Sequence, residues 1–285
     1  MNTRTKTGHR FGVLFYLSMR GGNFMIGITS INGLSFSMDE RFAKIKAAGF
    51  ESIMLWWGAD ETSSRATRVA LAKKHGFHIE NAHATTDHLN ALWLNDNTAD
   101  HTLSELKQEI TDCAHLGINT LVMHLTNGSE PPPVSDIGIL RIESLIHHAE
   151  NKKIRLAFEN VRKGEHIQYI LDHYNSPYVG LCYDSGHEYL WTPDIDWLNV
   201  YRQRVFAIHL HDNHGEGDSH LIPFDGEIDW IKKAKQIAQS SYVGTITIES
   251  ELHSSNRYDK DGFDSFLACA YKNGKKLSDM IQAWR

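Results

Sequence analysis

The chain of 285 residues has few cysteines, few prolines and no long apolar run. Its three cysteines, Cys113, Cys182 and Cys269, show no CxxC spacing. This argues against a disulfide framework and favours buried thiols in a reducing compartment. No stretch approaches the ~18 uninterrupted apolar residues of a membrane helix. We therefore expect a cytoplasmic protein without a membrane segment.

Basic residues are outnumbered by acidic ones. Lys and Arg total 29 against 35 Asp and Glu, so the formal net charge is −6. A protein whose main task is to bind phosphate backbones usually presents a basic surface, so this balance argues against nucleic acid as the partner.

The length suits one large α/β barrel, which takes roughly 250 residues, or two small domains.

The first residues, 1–24, are expected to precede the fold as an N-terminal extension. Three basic residues stand before a short apolar run, Phe11–Leu17, which loosely imitates a signal peptide. Because Arg20 follows the run and no small-residue cleavage site is apparent, we do not interpret it as a secretion signal. The catalytic domain is then expected to span residues 25–285.

Short apolar runs alternate eight times with longer amphipathic stretches from Met25 onward. The candidate strands are Met25–Thr29, Ser52–Trp56, His78–His83, Thr120–His124, Arg155–Glu159, Val179–Tyr183, Ala207–His211 and Thr245–Glu249. The candidate helices include Met38–Ala48, Ser63–His75, Leu103–Leu116 and Ile137–Asn151, and the first three are followed by Gly49, Gly76 and Gly117. Strands that alternate with helices predict parallel pairing through right-handed crossovers.

Eight such units without an internal linker predict a single closed (β/α)₈ barrel of the α/β class. A doubly wound open sheet is the alternative, and it would need a glycine-rich phosphate turn after its first strand. Here the first strand is followed by Ser30-Ile31-Asn32-Gly33-Leu34, which is not such a turn. The barrel is therefore the favoured architecture.

Side chains capable of acid–base or metal chemistry recur at the carboxyl ends of six consecutive candidate strands. They are His83, His124, Glu159, Asp184 with His187, His209 with His211, and Glu249 with Glu251. In a (β/α)₈ barrel these strand ends converge on one rim, where active sites are built. Taken singly, each residue has an ordinary structural explanation, such as a loop cap or an Asx turn.

A divalent cation explains the whole set, because like-charged carboxylates crowded on one rim repel unless protons or cations intervene. A mixture of carboxylates and imidazoles without thiolate suits zinc, manganese, cobalt or iron(II), with magnesium as a further candidate. Cys182 adjoins this set in sequence, and we interpret it as a packing residue.

A second polar cluster lies between the last two candidate strands. Asp218 and His220 are two residues apart, so in an extended loop both could face the same ion. The stretch Gly226–Trp230 is typical of a turn that leads into a helix near Asp229.

Four motifs together resemble those of a known family. They are Phe158-Glu159-Asn160, Cys182-Tyr183-Asp184-Ser185-Gly186-His187, His209-Leu210-His211-Asp212, and Asp218-Ser219-His220 followed by Gly226-Glu227-Ile228-Asp229-Trp230. From Met25 to about Trp284 the chain resembles the xylose isomerase-like TIM-barrel superfamily. That superfamily contains sugar and sugar-phosphate isomerases and epimerases, inosose dehydratases, hydroxypyruvate isomerases and apurinic-site endonucleases of the endonuclease IV type.

The resemblance implies a metal site like that of the epimerases. Its ligands would be Glu159, Asp184, His209 and Glu249. His211 competes with His209, because both side chains point the same way along the strand; otherwise His211 is a candidate substrate-binding residue. The family's activity implies one ion of zinc, manganese, cobalt or magnesium.

The resemblance also implies further metal ligands. His187 matches a histidine that contacts substrate in the epimerases and a third zinc in the endonucleases. His83 and His124 resemble the first-zinc histidines of the endonucleases, and Asp218 and His220 resemble their third-zinc pair. Residues compatible with up to three ions are therefore present, which departs from the single-metal epimerase pattern.

The first functional hypothesis is a metal-dependent isomerase or epimerase that acts on a small sugar or sugar phosphate. Glu159 and Glu249 would transfer the proton alpha to a carbonyl, and His187 would hold a substrate hydroxyl. Trp56 and Trp57 would line the substrate pocket. We also expect a homo-oligomer, because closed symmetric homo-oligomers are the default among soluble assemblies.

The alternative is a zinc-dependent phosphodiesterase of the apurinic-site endonuclease type. The full set of histidines favours it, since clustered zinc ions could activate a hydroxide and hold the scissile phosphate. The acidic balance opposes it, and so does the loop His211–Asp218, which contains no Lys or Arg. A catalytically inactive binding barrel would leave the ring of candidate ligands without a role. We therefore favour the sugar enzyme.

Overall fold

The computed structural model describes residues 24–58, 63–254, 258 and 262–285. The predicted N-terminal extension, except for its last residue, lies outside the described residues. Among the helices that are described, none is both long enough and apolar enough to cross a membrane.

Eight parallel strands close into a barrel in which each strand pairs with the next and the first pairs with the last. The strands are β1 (Ile26–Thr29), β2 (Ser52–Trp56), β3 (His78–His83), β4 (Thr120–Met123), β5 (Arg155–Glu159), β6 (Val179–Asp184), β7 (Val205–Leu210) and β8 (Ile246–Ile248). The closed barrel confirms the predicted fold and excludes the open doubly wound sheet. Each strand lies within two residues of its predicted bounds.

Helices follow the strands around the outside of the barrel. They are α1 (Met38–Ala47), α2 (Arg65–Lys74), α3 (Ala99–Leu116), α4 (Asp136–Lys152), α5 (Gly164–His173), α6 (Ser185–Trp191), α7 (Trp197–Val200), α8 (Trp230–Gln239) and α9 (Gly262–Gln282). Short 3₁₀ segments lie at Leu89–Trp93 and Leu252–Ser254. The predicted start of a helix near Asp229 is confirmed, since the Asp229 side chain accepts hydrogen bonds from the first turn of α8.

Local sequence signals set several helix ends. Ser37 begins α1 through a capping box, in which its hydroxyl accepts from the Glu40 amide and the Glu40 side chain accepts from the Ser37 amide. The α2 helix begins later than expected, because Ser64 is its cap. Gly117 ends α3 with φ of 80°, a left-handed conformation that glycine adopts without strain.

The barrel has an outer apolar layer and a small interior one. Strand alternation sends Phe158 and Tyr183 outward against the helices, where both are fully buried. The interior cluster consists of Val122, Ala157, Cys182 and Ala207. Cys182 therefore packs as predicted, but inside the barrel, with the same facing as Asp184 two residues later. The interior is filled by small side chains up to the level at which the polar strand ends begin.

Replacing Gly138 with Ala should destabilise the fold. A Cβ at this position of α4 would lie 2.2 Å from Cε3 of Trp93. The indole cannot move aside freely, because it is buried and its Nε1 donates to the Leu125 carbonyl at 2.7 Å. Overpacking of this kind costs about 1–3 kcal/mol, which exceeds the fraction of a kcal/mol that Ala gains in helix propensity.

Chemical unfolding of both proteins measures this cost. Gly217→Ala is the matched control, because a Cβ there would meet nothing within 4 Å. An unchanged unfolding midpoint for Gly138→Ala would show that the Trp93 contact is not tight.

Candidate metal centre

Four side chains from neighbouring strand ends converge at the carboxyl rim of the barrel. Glu159 ends β5, Asp184 ends β6, His209 lies in β7, and Glu249 follows β8. Each offers a ligand atom, and these atoms all lie within 4.8 Å of one another. All four residues are buried. The structure thus brings together the set that the family resemblance implied.

The orientation of Asp184 is set by its surroundings. Its backbone amide donates to Asn160 Oδ1 at 2.7 Å, and Asn160 Nδ2 donates to its carbonyl at 2.9 Å. Its Oδ1 accepts from the His187 amide at 2.7 Å, which caps α6. Its Oδ2 has no hydrogen-bond partner among the described residues. One oxygen therefore holds the helix, and the other is free to bind an ion.

Other buried polar atoms in the cluster also lack hydrogen-bond partners among the described residues: both ring nitrogens of His209, and Oε2 of Glu249. Buried polar groups are normally hydrogen-bonded, so several unsatisfied polar atoms in one cluster need an explanation. Three carboxylates and one imidazole form an oxygen-rich donor set that suits a hard or borderline divalent ion. The residues present fit a metal.

The electrostatics of the cluster require positive charge. His209 Nδ1 lies 3.2 Å from Glu159 Oε2 and 3.3 Å from Glu249 Oε2. Burial lowers the pKa of His209, but the Cys182 sulfur and these two carboxylates more than offset burial and raise the pKa well above its usual range. Burial alone would raise the pKa of Glu159, because it disfavours the charged carboxylate, but the nearby imidazoles hold this pKa well below its usual range. Without a metal ion, the raised pKa of His209 favours a protonated imidazole beside the two carboxylates.

A second group lies beside the first. His187, His211, Asp218 and His220 offer ligand atoms within 4.8 Å of one another. Asp218 Oδ2 lies 3.3 Å from His187 Nε2 and 3.4 Å from His220 Nε2. The loop after β7 therefore folds over the barrel mouth and brings Asp218 and His220 next to His187.

The geometry separates the two histidines that the sequence left in competition. His209 lies in the group with Glu159 and Glu249, whereas His211 lies in the second group, with its Nε2 3.0 Å from Asp184 Oδ1. The ring of His211 packs against the backbone of Gly186, where an added Cβ would lie 1.9 Å from its Cε1. The glycine of the Asp184–His187 motif thus makes room for this imidazole.

His83 and His124 also lie close to the Glu159 carboxylate. His83 Nε2 lies 3.2 Å and His124 Nε2 3.5 Å from Glu159 Oε2. His83, Glu159 and His209 form a third group of potential ligands. Burial lowers the pKa of His124, which favours the neutral form that binds metals. Glu159 is therefore shared between two groups.

The position of the loop depends on Asp212, a residue that sequence reasoning did not single out. Its fully buried carboxylate accepts from the amides of Asn213, Phe224 and Ile228 and from Nε1 of Trp230, at 2.7–3.0 Å. The motif His209-Leu210-His211-Asp212 could have indicated it, because a carboxylate after two ligand positions holds the loop that follows. Asp212 acts on the centre through the loop and does not face it.

A cavity of 200 Å³ opens above the cluster. Trp56 lines it, with its ring centroid 4.8 Å from that of His83. The expectation for Trp57 is wrong, because strand alternation turns its side chain away from this cavity. Trp57 lines a separate cavity of 590 Å³ outside the barrel and packs 5.1 Å from the Arg65 guanidinium.

Sequence reasoning also missed Arg162 and Trp191. Both line a cavity of 110 Å³ that shares His124, His187 and Asp218 with the larger one. The rim is therefore not free of basic side chains, although the loop after β7 contains none. The signal was present in the sequence, since Arg162 stands three residues after Glu159 in the loop that leaves β5.

Comparison with known proteins places this geometry in context. The model of a family described as "Xylose isomerase-like TIM barrel" matches residues 42–269. An uncharacterised protein, y4fM of Sinorhizobium fredii, is 29% identical over 194 residues, which are 63% of this chain and 61% of that protein. An inosose dehydratase of Bacillus velezensis is 28% identical over 109 residues, which are 32% of this chain and 37% of that protein.

The barrel is also similar to solved structures. A D-tagatose 3-epimerase-like protein superposes with a TM-score of 0.71 at 20% identity, over 91% of this chain and 98% of that one. At this level of identity the similarity shows the fold. The chain spans only part of the length of the two curated relatives above, so their activities do not transfer directly.

Metal binding should release protons and weaken as the pH falls. Burial lowers the pKa of His187, but Asp184, Asp218 and Glu159 raise it well above its usual range, as neighbouring groups do for His209. The raised pKa values favour the protonated form of both imidazoles, and His209, the imidazole of the proposed ligand set, must lose its proton before it binds the metal, so affinity rises with pH. Calorimetric titration with manganese or zinc in buffers of different ionisation enthalpy should give about one proton released per ion near pH 7.

A matched pair of variants tests the assignment. His214→Ala removes an exposed imidazole from the loop after β7 and should leave proton release unchanged. His209→Ala should reduce both metal affinity and proton release. Binding that is independent of pH and releases no proton would contradict the proposed ligand set.

Proposed function

The chain belongs to the xylose isomerase-like TIM barrel family, and from this premise we propose that it is a metal-dependent sugar or sugar-phosphate isomerase or epimerase. The observation that carries the proposal is the convergence of Glu159 and Glu249 on His209, with both carboxylates buried beneath one cavity. The names of an inosose dehydratase and of a D-tagatose 3-epimerase-like protein among its relatives support carbohydrate chemistry.

The four rim side chains Glu159, Asp184, His209 and Glu249 would hold one divalent ion, with manganese, cobalt, magnesium or zinc as candidates. When bound, the ion supplies electrostatic stabilisation of the negative charge that develops on substrate oxygens. Asp184 suits this role because only one of its oxygens is used by the cap of α6.

The two glutamates would perform the proton transfer. They come from β5 and from the end of β8, so they can flank a substrate in the cavity between them. One removes the proton from the carbon alpha to the carbonyl, and the other delivers a proton to the opposite face. His187 Nδ1 lies 3.2 Å from Glu159 Oε1, so His187 can orient this carboxylate and hold a substrate hydroxyl.

The size of the cavity supports a small substrate. At 200 Å³ it is smaller than the roughly 300–1,000 Å³ that drug-sized ligands occupy, and it suits a monosaccharide better than a polymer. Trp56 provides an apolar surface at one side, against which the carbon face of a sugar can pack.

A zinc phosphodiesterase is the second candidate, and a specific observation favours it. The three groups of potential ligands, two of which share Glu159 and His209 while the third contains Asp218, could hold more than one ion. Closely spaced ions can activate a hydroxide and stabilise both oxygens of a phosphoryl displacement. Arg162 also places one basic side chain at the rim, which weakens the objection that this surface has no cation to bind a phosphate. The small cavity and the acidic composition still favour the sugar enzyme.

Solvent hydrogen exchange tests the reaction directly. With ketoses or ketose phosphates and each candidate metal in deuterated buffer, we expect deuterium to enter the substrate at the carbon alpha to the carbonyl. Glu249→Gln should abolish net epimerisation, with a loss of at least about a hundredfold, the usual contribution of a general base or acid. Some exchange should remain on one face, because the other carboxylate still acts.

Metal content must be measured on the same samples, since Glu249 is also a proposed ligand. Glu216→Gln, in the exposed part of the loop after β7, is the matched control and should keep full activity. No exchange with any ketose, together with cleavage of an abasic-site oligonucleotide, would replace the isomerase with the phosphodiesterase.

A further inference from the structure

Arg162 is a cation without an anionic partner. It lies in the loop between Glu159 and α5, and its side chain is half-buried. Within the described part of the chain, its guanidinium takes part in no hydrogen bond or ion pair. Its guanidinium carbon lies over the ring of Trp191, 4.1 Å from the ring centroid. Its N–H groups are not satisfied by protein partners and are therefore available to a ligand.

The guanidinium is held in place by stacking. Trp191 packs face to face with His187, with ring centroids 4.7 Å apart and an angle of 25°. Trp191 therefore contacts both the Arg162 guanidinium and the His187 ring, and it links the loop to the proposed active site. Stacking occupies the face of a guanidinium and leaves the N–H groups at its edge free to bind an oxyanion in a bidentate manner.

The free edge adjoins a cavity that continues into the active site. The cavity of 110 Å³ lined by Arg162 shares His124, His187 and Asp218 with the cavity above Glu159 and Glu249. Asp218 does not neutralise Arg162, because its carboxylate pairs with His187 and His220. A ligand that reaches from the two glutamates toward Arg162 thus passes from one cavity into the next.

We propose that Arg162 binds an anionic group of the substrate, so that this enzyme acts on phosphorylated or carboxylated sugars in preference to neutral ones. The inference rests on the proposed function, since it assigns a substrate class to that same site. The shared chemistry is an oxyanion at the end of the sugar remote from the proton transfer. Arg162 is then a specificity residue, and Trp191 is the residue that positions it.

A matched series of ligands tests the inference on the metal-loaded full-length protein. D-fructose, D-fructuronate and D-fructose 6-phosphate differ at carbon 6, which is a hydroxymethyl carbon, a carboxylate carbon or a phosphorylated hydroxymethyl carbon. We expect at least one anionic sugar to bind about tenfold or more tightly than D-fructose, as one charge-assisted hydrogen-bonded pair contributes. Whichever anion shows the preference identifies the source of the charge.

Variants then locate the preference. Arg162→Gln should reduce it to less than about threefold, and Arg162→Lys should keep part of it, because the charge remains but the bidentate geometry is lost. Lys163→Gln removes the same charge from the adjacent residue and should keep the full preference. Thermal unfolding confirms that each variant is folded. Equal binding of neutral and anionic sugars, or a preference that Arg162→Gln retains, would overturn the inference.

Titration with inorganic phosphate separates this inference from the proposed function. If no sugar binds but phosphate binds in an Arg162-dependent way, the anion site stands and the sugar enzyme fails. If sugars bind and exchange occurs, but phosphate binds equally to wild type and Arg162→Gln, the sugar enzyme stands and the anion site fails.

Discussion

The crowding of buried carboxylates and imidazoles on one rim is the constraint on which the rest of this structure depends. Glu159, Asp184 and Glu249 place three carboxylates within a few ångströms of one another, and all three residues are buried. Charges buried in this way are strongly unfavourable unless they are compensated. In the metal-free protein the raised pKa of His209 favours a compensating proton on its imidazole, and a divalent ion would provide the compensation more directly. The proposed chemistry uses the same positive charge.

The remainder of the barrel keeps this arrangement in place. Small interior side chains such as Ala157 and Cys182 fill the space below the rim, so that residues two positions later form the top layer. Asn160 fixes the backbone of Asp184, and Asp212 holds the loop that brings Asp218 and His220 over the mouth. These contacts hold the carboxylates of the cluster close together although they repel one another, and they leave several of their polar atoms without hydrogen-bond partners.

The sequence predicted those parts of the site that depend on strand ends. Glu159 and Asp184 were found because parallel strands in a barrel present their carboxyl ends on one rim. Alternation could not distinguish His209 from His211, because residues two apart face the same side of a strand. What distinguishes them is the space beside Gly186, which the ring of His211 occupies. The same alternation predicts that Trp57 faces outward, away from Trp56, and the expectation that both indoles line the pocket overlooked this. Arg162 was missed because its position depends on stacking with Trp191, and periodicity does not report such a contact.

The central claim is that the rim binds a divalent ion through Glu159, Asp184, His209 and Glu249. A crystal structure of the metal-loaded protein, with anomalous data collected at the absorption edge of the metal, tests it most directly. The account predicts an anomalous peak with oxygen and nitrogen atoms of these four side chains at about 2.0–2.4 Å. A metal-replete crystal with no peak among these four side chains, or with the ion bound elsewhere on the protein, would contradict it.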